Sequence, residues 1–421
     1  MTSFAIGLEC RECGQRYSHS PRHVCDRCFG PLEIQYDYDA IKKFTSRATI
    51  ASRERNLWRY REFLPIDGDP WVGLHSGFTP LLRAHRLGAA LGVKELYLKD
   101  DSVNHPTFSY KDRVVAVAIS KALEFGFDTV ACASTGNLAN SVAAHAAVAG
   151  LACYVFIPDN LEPAKIIGSS IYGAKTVAIK GNYDDVNRLC SEIADKYRWA
   201  FLNVNLRPYY VEGAKTQGFE IVEQLGWQLP QHLVVACAGG TILPKLAKSF
   251  QDLIGAGLVE ERACKIYAAQ ATGCAPIIAA LHQGIDTIKP VKPHTIAGSI
   301  AIGDPAEGYY VLQVVRGSGG WGESVTDEEI LDAIKLLART EGVFTEPAGG
   351  TEVAVAKKLI DQGRIPRDES IVISITGNGF KSLEAVAPGI EQPFFIEPTL
   401  DRFDGLLERL GAPAARQTLA G

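Results

Sequence analysis

Lys111 stands in the run His105-Pro-Thr-Phe-Ser-Tyr-Lys111-Asp-Arg113, at the mouth of the apolar helical stretch VVAVAISKAL. An ordinary lysine at such a place is a solvated helix residue. In the first turn, however, its charge meets the positive end of the helix dipole, a poor place for a cation unless the amine loses its proton or becomes an imine. An imine-forming lysine is how pyridoxal 5'-phosphate (PLP) is held, and the released amine then serves as a general base. Lys111 is therefore the candidate catalytic and cofactor-tethering residue.

Three turns carry groups suited to the rest of such a site. Cys237-Ala-Gly-Gly-Thr241 follows an apolar run and opens a helical one, so backbone N–H groups there are free to approach a phosphate. A tight glycine turn explains the same residues, and the spacing is not the G-x-G-x-x-G of a dinucleotide site. Ser134-Thr135-Gly136-Asn137 is a second anion cradle, suited to a substrate carboxylate, or a plain capped helix start. Thr376, in the turn Ile375-Thr-Gly-Asn-Gly379, either closes that turn or presents its hydroxyl to a ring nitrogen.

A separate chemistry opens the chain. Cys10-Arg-Glu-Cys13 and Cys25-Asp-Arg-Cys28 are two C-x₂-C knuckles with eleven residues between them. Four thiolates brought together by two knuckles suit a tetrahedral Zn²⁺ with no position left for water, a structural site. His19 and His23 are the substitute ligands to weigh against the cysteines. Arg11, Arg16, Arg22 and Arg27 make nucleic-acid binding conceivable for this segment, while Glu12, Asp26 and its small size argue against a strong electrostatic footprint.

Elements must position these residues, and from about residue 94 the pattern supplies them. Short apolar runs (KELYLK, TVACAS, LACYVFIP, AKTVAIK, HLVVACA, KIYAAQ, IVISIT) alternate with helix-length amphipathic segments over 110–125, 137–149, 163–172, 183–198, 241–255, 274–283 and 347–362. Alternation on this scale predicts βαβ units, that is, an α/β protein with mainly parallel sheets covered on both faces. Ligands in such sheets bind beyond the carboxyl ends of strands, and the three turns above lie at such ends, so they are expected to converge on one crevice.

Length and composition bound the alternatives. A chain of 421 residues divides into about two or three domains. An apolar fraction of 47% and a charged fraction of 22% are ordinary for a globular protein, and no apolar run reaches the roughly 18 residues of a membrane span. The start of the chain lacks the pattern of a signal peptide. A formal net charge of −5 exerts no general pull on nucleic acid. Cys132, Cys153, Cys190, Cys237, Cys264 and Cys274 sit mostly in apolar runs and read as buried reduced thiols, which points to the cytoplasm. The last residues, 411–421, are small and polar and are expected to fray.

Taken in order, HPTFSYKDR, ASTGNLANS, the 237–241 turn and SITGNGFK resemble the fold-type II PLP enzymes, the tryptophan-synthase-β-like group, and in detail its threonine-synthase branch. GFTPLLRAHRL from Gly77, EGAKTQGFEI at 212–221, AGSIAIGDPAEGYY at 297–310 and EGVFTEPAGG at 341–350 extend the resemblance over residues 1–390. It implies two parallel-sheet domains, a large one from 36–125 and 213–392 and a small one from 126–212, with a ribbon at 1–35 and a tail at 393–421. It further implies that Lys111 holds PLP, that Asn137 bonds the phenolic oxygen, that Ala238, Gly239, Gly240 and Thr241 hold the phosphate, and that Thr376 faces the pyridine nitrogen. By the same resemblance, Ser134, Thr135 and Gly136 are expected to help receive the substrate carboxylate.

The chain departs from the family pattern in places. Tyr110 stands where phenylalanine is usual before the lysine. The phosphate turn has fewer glycines than many relatives. In place of N-P-x-R the chain reads Asn205-Leu-Arg207-Pro-Tyr-Tyr210, which makes Asn205 and Arg207 the candidates for a substrate phosphate. The activity implied is conversion of O-phospho-L-homoserine and water to L-threonine and phosphate by a homodimer. No His or Glu stands out as a separate base, and the departing phosphate itself is the candidate activator of water. The rivals are a cysteate-synthase-like replacement on O-phosphoserine, a threonine dehydratase, and a non-catalytic ribbon interaction protein.

Overall fold

A computed structural model describes residues 3–134, 136–159, 163–180 and 183–411. Contact density separates residues 1–385 from a second unit, 386–421, which contains the helix Leu400–Arg409. Most of the segment expected to fray lies outside the described residues.

Three sheets build the first unit. A six-stranded sheet runs in the order Gly322–Val325, Lys265–Ala271, His232–Ala236, Ser370–Ile375, Glu95–Asp100, Leu81–Arg83, parallel throughout except for its last strand. A four-stranded, wholly parallel sheet has the order Lys175–Ile179, Ala152–Pro158, Thr129–Ala133, Ala200–Phe201. The central strands TVACA and HLVVA are buried at every position, as helices on both faces require. The third sheet is antiparallel, with Ala5–Cys10 between Arg16–Tyr17 and Leu32–Tyr36. The α/β, mainly parallel architecture expected from the sequence is the one found, and all seven apolar runs are strands.

Two buried ionic networks hold these layers in place. In the first, the fully buried Arg113 donates to both oxygens of Asp101 at 2.7 Å, to Glu220 at 2.8 Å, to Thr79 at 3.0 Å and to Thr216 at 3.1 Å. Lys99 pairs with the same Glu220 at 2.6 Å. Burial alone would push the Glu220 carboxyl up, but Arg113 and Lys99 bring it down to about 2. The network ties the start of the helix Lys111–Glu124 to the helix Lys215–Gln224 and to the strand Glu95–Asp100. Removing one member strands an unpaired charge in the core, so Arg113→Ala should lower unfolding free energy by about 3–5 kcal/mol in urea titration. A loss below about 1 kcal/mol, the scale of an exposed pair, would contradict it.

The second network fastens the amino-terminal sheet to the body. Glu212 accepts from Tyr36 at 2.8 Å and Lys245 at 2.8 Å, and pairs with Lys215 at 2.6 Å. Lys245 also reaches Glu33 at 2.7 Å, and Lys215 reaches Asp252 at 2.8 Å. Burial raises the Glu212 carboxyl, and Lys215, Lys245 and Lys248 outweigh it, leaving it at about 2. Glu212 and Lys215 of the EGAKT motif thus serve as structural charges.

Candidate active site

Lys111 is the first residue of its helix, and the preceding Tyr110 gives no side-chain cap. The neighbouring Asp112 is spent elsewhere: its oxygens accept from the Thr107 amide at 3.0 Å, the Thr107 hydroxyl at 2.7 Å and Ser141 at 2.7 Å. The Lys111 amine instead donates to the Tyr210 hydroxyl at 3.2 Å and stands 5.6 and 5.8 Å from the ring centroids of Tyr110 and Tyr210. Among the described residues no carboxylate lies within ion-pair distance of it. An amine at a positive helix end, facing phenols and lacking a counter-ion, is well placed to exchange its charge for an imine.

The lysine loop is stitched to the turn after the strand Ser370–Ile375. Tyr110 N donates to Thr376 O at 2.8 Å, Asn378 N to Phe108 O at 3.1 Å, and Ser109 bridges Gly377. Lys111 and Thr376 are therefore brought together through main-chain bonds, although they stand far apart in the chain. The Thr376 hydroxyl has no protein partner among the described residues, and the buried hydroxyls of Ser109 and Tyr110 are also unpartnered.

Asn137 opens the helix Asn137–Ala149, with Gly136 before it offering no capping side chain. A Cβ built on Gly136 would meet nothing within 4 Å, so this helix end is open to a ligand. Ser134 accepts loosely from Gly136 N at 3.4 Å; Thr135 lies outside the described residues. The Asn137 amide nitrogen donates to both oxygens of Glu346, at 3.1 and 2.9 Å, a partner not foreseen from the sequence.

The turn 237–241 precedes the helix Ile242–Gly255, where Thr241 likewise makes no side-chain cap bond. Gly239 has open space where a Cβ would be. Gly240 has φ of +94°, and a Cβ there would stand 2.7 Å from the Glu307 carbonyl carbon. Glycine is required for both the conformation and the close approach. Ala238 and Thr241 flank these two, and the helix start has N–H groups without a side-chain cap, an arrangement that could hold an anion.

Arg207 and Asn205 separate in the structure. Arg207 donates to Glu307 Oε1 from Nε at 3.1 Å and from Nη2 at 2.7 Å, and Glu307 N in turn donates to Gly239 O at 2.9 Å. A half-buried guanidinium is therefore linked to the 237–241 turn through Glu307, whose carboxylate meets Arg207 and whose main-chain N–H meets Gly239. Asn205 is occupied by backbone instead. Its oxygen accepts from Phe201 N at 2.9 Å and its nitrogen donates to Trp199 O at 3.0 Å. Its oxygen and one of its two N–H groups thus close a turn, which leaves at most one N–H for a substrate phosphate.

The cysteines are gathered as expected. The sulfurs of Cys10, Cys13, Cys25 and Cys28 all lie within 4.8 Å of one another, with Cys10 to Cys28 at 3.4 Å and Cys13 to Cys25 at 3.6 Å. Four sulfurs about 2.3 Å from one tetrahedral ion would stand about 3.8 Å apart. Tyr17 OH at 3.1 Å and Arg27 N at 3.3 Å meet the Cys25 sulfur as a thiolate's second layer would. His19 is turned away to the Ala5 carbonyl at 3.1 Å.

Tyr210, Glu307 and Glu346 are the residues that sequence reasoning did not assign. Each sits inside or beside a stretch quoted above, but only tertiary contact shows what the side chain meets. Together these residues fit PLP: an unpaired lysine amine, an uncapped helix start with a glycine cradle, and a free hydroxyl on a strand-end turn.

Comparison with known proteins agrees with this geometry. The family model "Pyridoxal-phosphate dependent enzyme" matches residues 72–377. A short model, "NinF protein", matches residues 9–33. The threonine synthase of Methanocaldococcus jannaschii is 39% identical over 95% of this chain and 99% of its own length. That of Methanosarcina acetivorans is 38% identical over 94% and 96%. Among solved structures, the processed threonine deaminase isoform 2 of Solanum lycopersicum superposes with a TM-score of 0.63 at 22% identity, covering 75% of this chain and 88% of its own. O-ureido-L-serine synthase does so with 0.61 at 21%, covering 78% and 96%. The structural likenesses show the fold.

Proposed function

The chain belongs to the threonine synthase family of PLP-dependent enzymes, and from that premise we propose that it converts O-phospho-L-homoserine and water to L-threonine and phosphate. The observation that carries the reading is the Lys111 amine, at a helix start without a side-chain cap, bonded to the Tyr210 hydroxyl and carried by a loop stitched through main-chain bonds to the Thr376 turn.

Bound PLP supplies an electron sink conjugated to the substrate's α-carbon. Lys111 tethers that group and, once released, takes a proton from the α-carbon and returns one at the end of the cycle. The Tyr210 hydroxyl, 3.2 Å from the amine, holds it in place between these steps. Ser134, Thr135 and the open N-terminus at Gly136 receive the substrate carboxylate. Ala238, Gly239, Gly240 and Thr241 hold the cofactor phosphate. Thr376 offers a hydroxyl to the ring nitrogen, which unlike a carboxylate does not force that nitrogen to stay protonated. Arg207 binds the substrate phosphate, for which the dianion competes with the Glu307 carboxylate as bidentate partner.

The four amino-terminal thiolates hold a structural Zn²⁺, supported by their mutual distances and by a ligand set that is complete without water. All ten cysteines are free, and the six outside the ribbon are buried or half-buried, which supports a cytoplasmic setting. A homodimer with separate large and small domains completes the reading; the domain division is supported by the four-stranded sheet, whose strands fall between residues 129 and 201.

Purified protein given phosphohomoserine should release phosphate and form threonine, with phosphoserine a poor substrate. Arg207→Ala should raise KM for phosphohomoserine about 10- to 100-fold, as loss of a charged hydrogen bond predicts, with a smaller change in kcat. Faster release of phosphate from phosphoserine would overturn the assignment.

A further inference from the structure

Glu346 precedes the helix Pro347–Asp361 as its N-cap, yet its side chain makes no capping bond. It turns into the site instead, where it is 3% exposed. Its two oxygens accept from the single nitrogen of Asn137 at 3.1 and 2.9 Å, and Oε1 also accepts from Ser299 at 3.3 Å. Among the described residues no cation pairs with it at contact distance. A buried carboxylate without a paired cation is costly, and such groups collect where function needs them.

The surroundings fix this carboxyl from several sides. Glu346 N donates to Gly377 O at 3.1 Å, and Thr345 Oγ1 to the same oxygen at 2.9 Å. Gly377 follows Thr376, and a Cβ there would stand 2.6 Å from Glu346 Oε1. The turn that presents Thr376 is therefore shaped to admit this carboxyl.

An asparagine amide is nearly symmetric in shape, so its partners decide which end points where. A carboxylate only accepts, so it selects the nitrogen of Asn137 and rejects the oxygen. We propose that Glu346 is a positioning residue: by gripping one N–H of Asn137 it commits the second N–H to the phenolic oxygen of the bound cofactor. With the amide reversed, Asn137 Oδ1 would face two anionic oxygens. The inference rests on the PLP site proposed above.

The grip also depends on pH. Burial pushes the Glu346 carboxyl above its ordinary range, against the bonds from Asn137 and Ser299 and the more distant charges of Lys381 and Lys111. Glu352, on the same helix, is itself driven upward by burial and adds no relief. As pH falls through this raised value the carboxyl gains a proton, accepts less well, and cofactor retention weakens earlier than with an exposed carboxylate.

The test compares holoenzyme with Glu346→Gln by PLP dissociation and by the visible absorption band across pH. The variant should bind PLP about tenfold more weakly, as loss of a charged acceptor predicts. It should also show a displaced band without the wild-type acid response. In an Asn137→Ala background the substitution should add nothing to the PLP dissociation constant, a coupling that a merely structural role would not give. Where the Gln variant fails to fold, Glu346→Asp, which keeps the titrating charge and shortens the reach, carries the same expectations for affinity, band and coupling, with an acid response retained. Wild-type protein that binds no PLP would overturn the proposed function. Wild-type protein that binds PLP, with variants matching its affinity, band and pH response, would overturn this inference alone.

Discussion

Lys111→Ala yields a folded protein without covalently held PLP and with turnover lower by about 10⁴-fold or more, the upper range for removing a positioned general base. Folding should survive because the amine makes one hydrogen bond, at 3.2 Å to Tyr210, and the helix start is secured by Arg113 rather than by Lys111. The phosphate cradle at 237–241 and the Thr376 turn are untouched, so the variant should still bind PLP reversibly. Borohydride treatment should fix the cofactor on the Lys111 peptide of the wild type and on no peptide of the variant. Lys381 is the amine best placed to substitute, since it too faces Glu346, but it is committed to the Thr107 carbonyl at 2.5 Å. A variant retaining more than about 1% of wild-type turnover would place the proton transfers elsewhere.

Metal removal should have the second largest effect. Purified protein should contain one Zn²⁺ per chain, and Cys13→Ser or Cys28→Ser should lose it. Both residues are exposed, so the exchange disturbs little packing and the loss is attributable to the metal. Structural Zn²⁺ contributes about 10–16 kcal/mol to isolated ribbons; here the buried contacts of Glu33 and Tyr36 retain part of the sheet without it. A fall in melting temperature should therefore come with reduced activity. Ser20 exchanges hydrogen bonds with the Tyr209 hydroxyl at 3.0 and 3.1 Å, and Arg11 stacks on the ring of Tyr310 at 3.5 Å. Tyr209 adjoins Tyr210, and Tyr310 lies one helical turn beyond Glu307, so loosening the ribbon disturbs both supports of the active site. Metal-free protein with unchanged melting and turnover would refute the structural role.

Much of this molecule is written locally. The longer parallel strands are short continuous apolar runs, because helices cover both faces, and the runs from KELYLK to IVISIT show it. The lysine announces itself by type and by place on a helix, and the two C-x₂-C knuckles by spacing. The strand Gly322–Val325 and the helices Gly308–Gly317 and Asp327–Glu341 fell outside that rhythm. The strand reads GESV, too short and too polar for a period to register.

What the linear chain determined, then, is which turns end a strand and open a helix and which lysine heads one, since both follow from chemistry confined to a few neighbouring positions. Tertiary structure alone decided the partners. Asn205 spends its oxygen and one N–H on backbone while Arg207, two positions on, meets Glu307, and Glu346 meets Asn137, 209 positions away. A side chain's donors and acceptors are finite, and where they are spent depends on atoms that sequence proximity does not bring near.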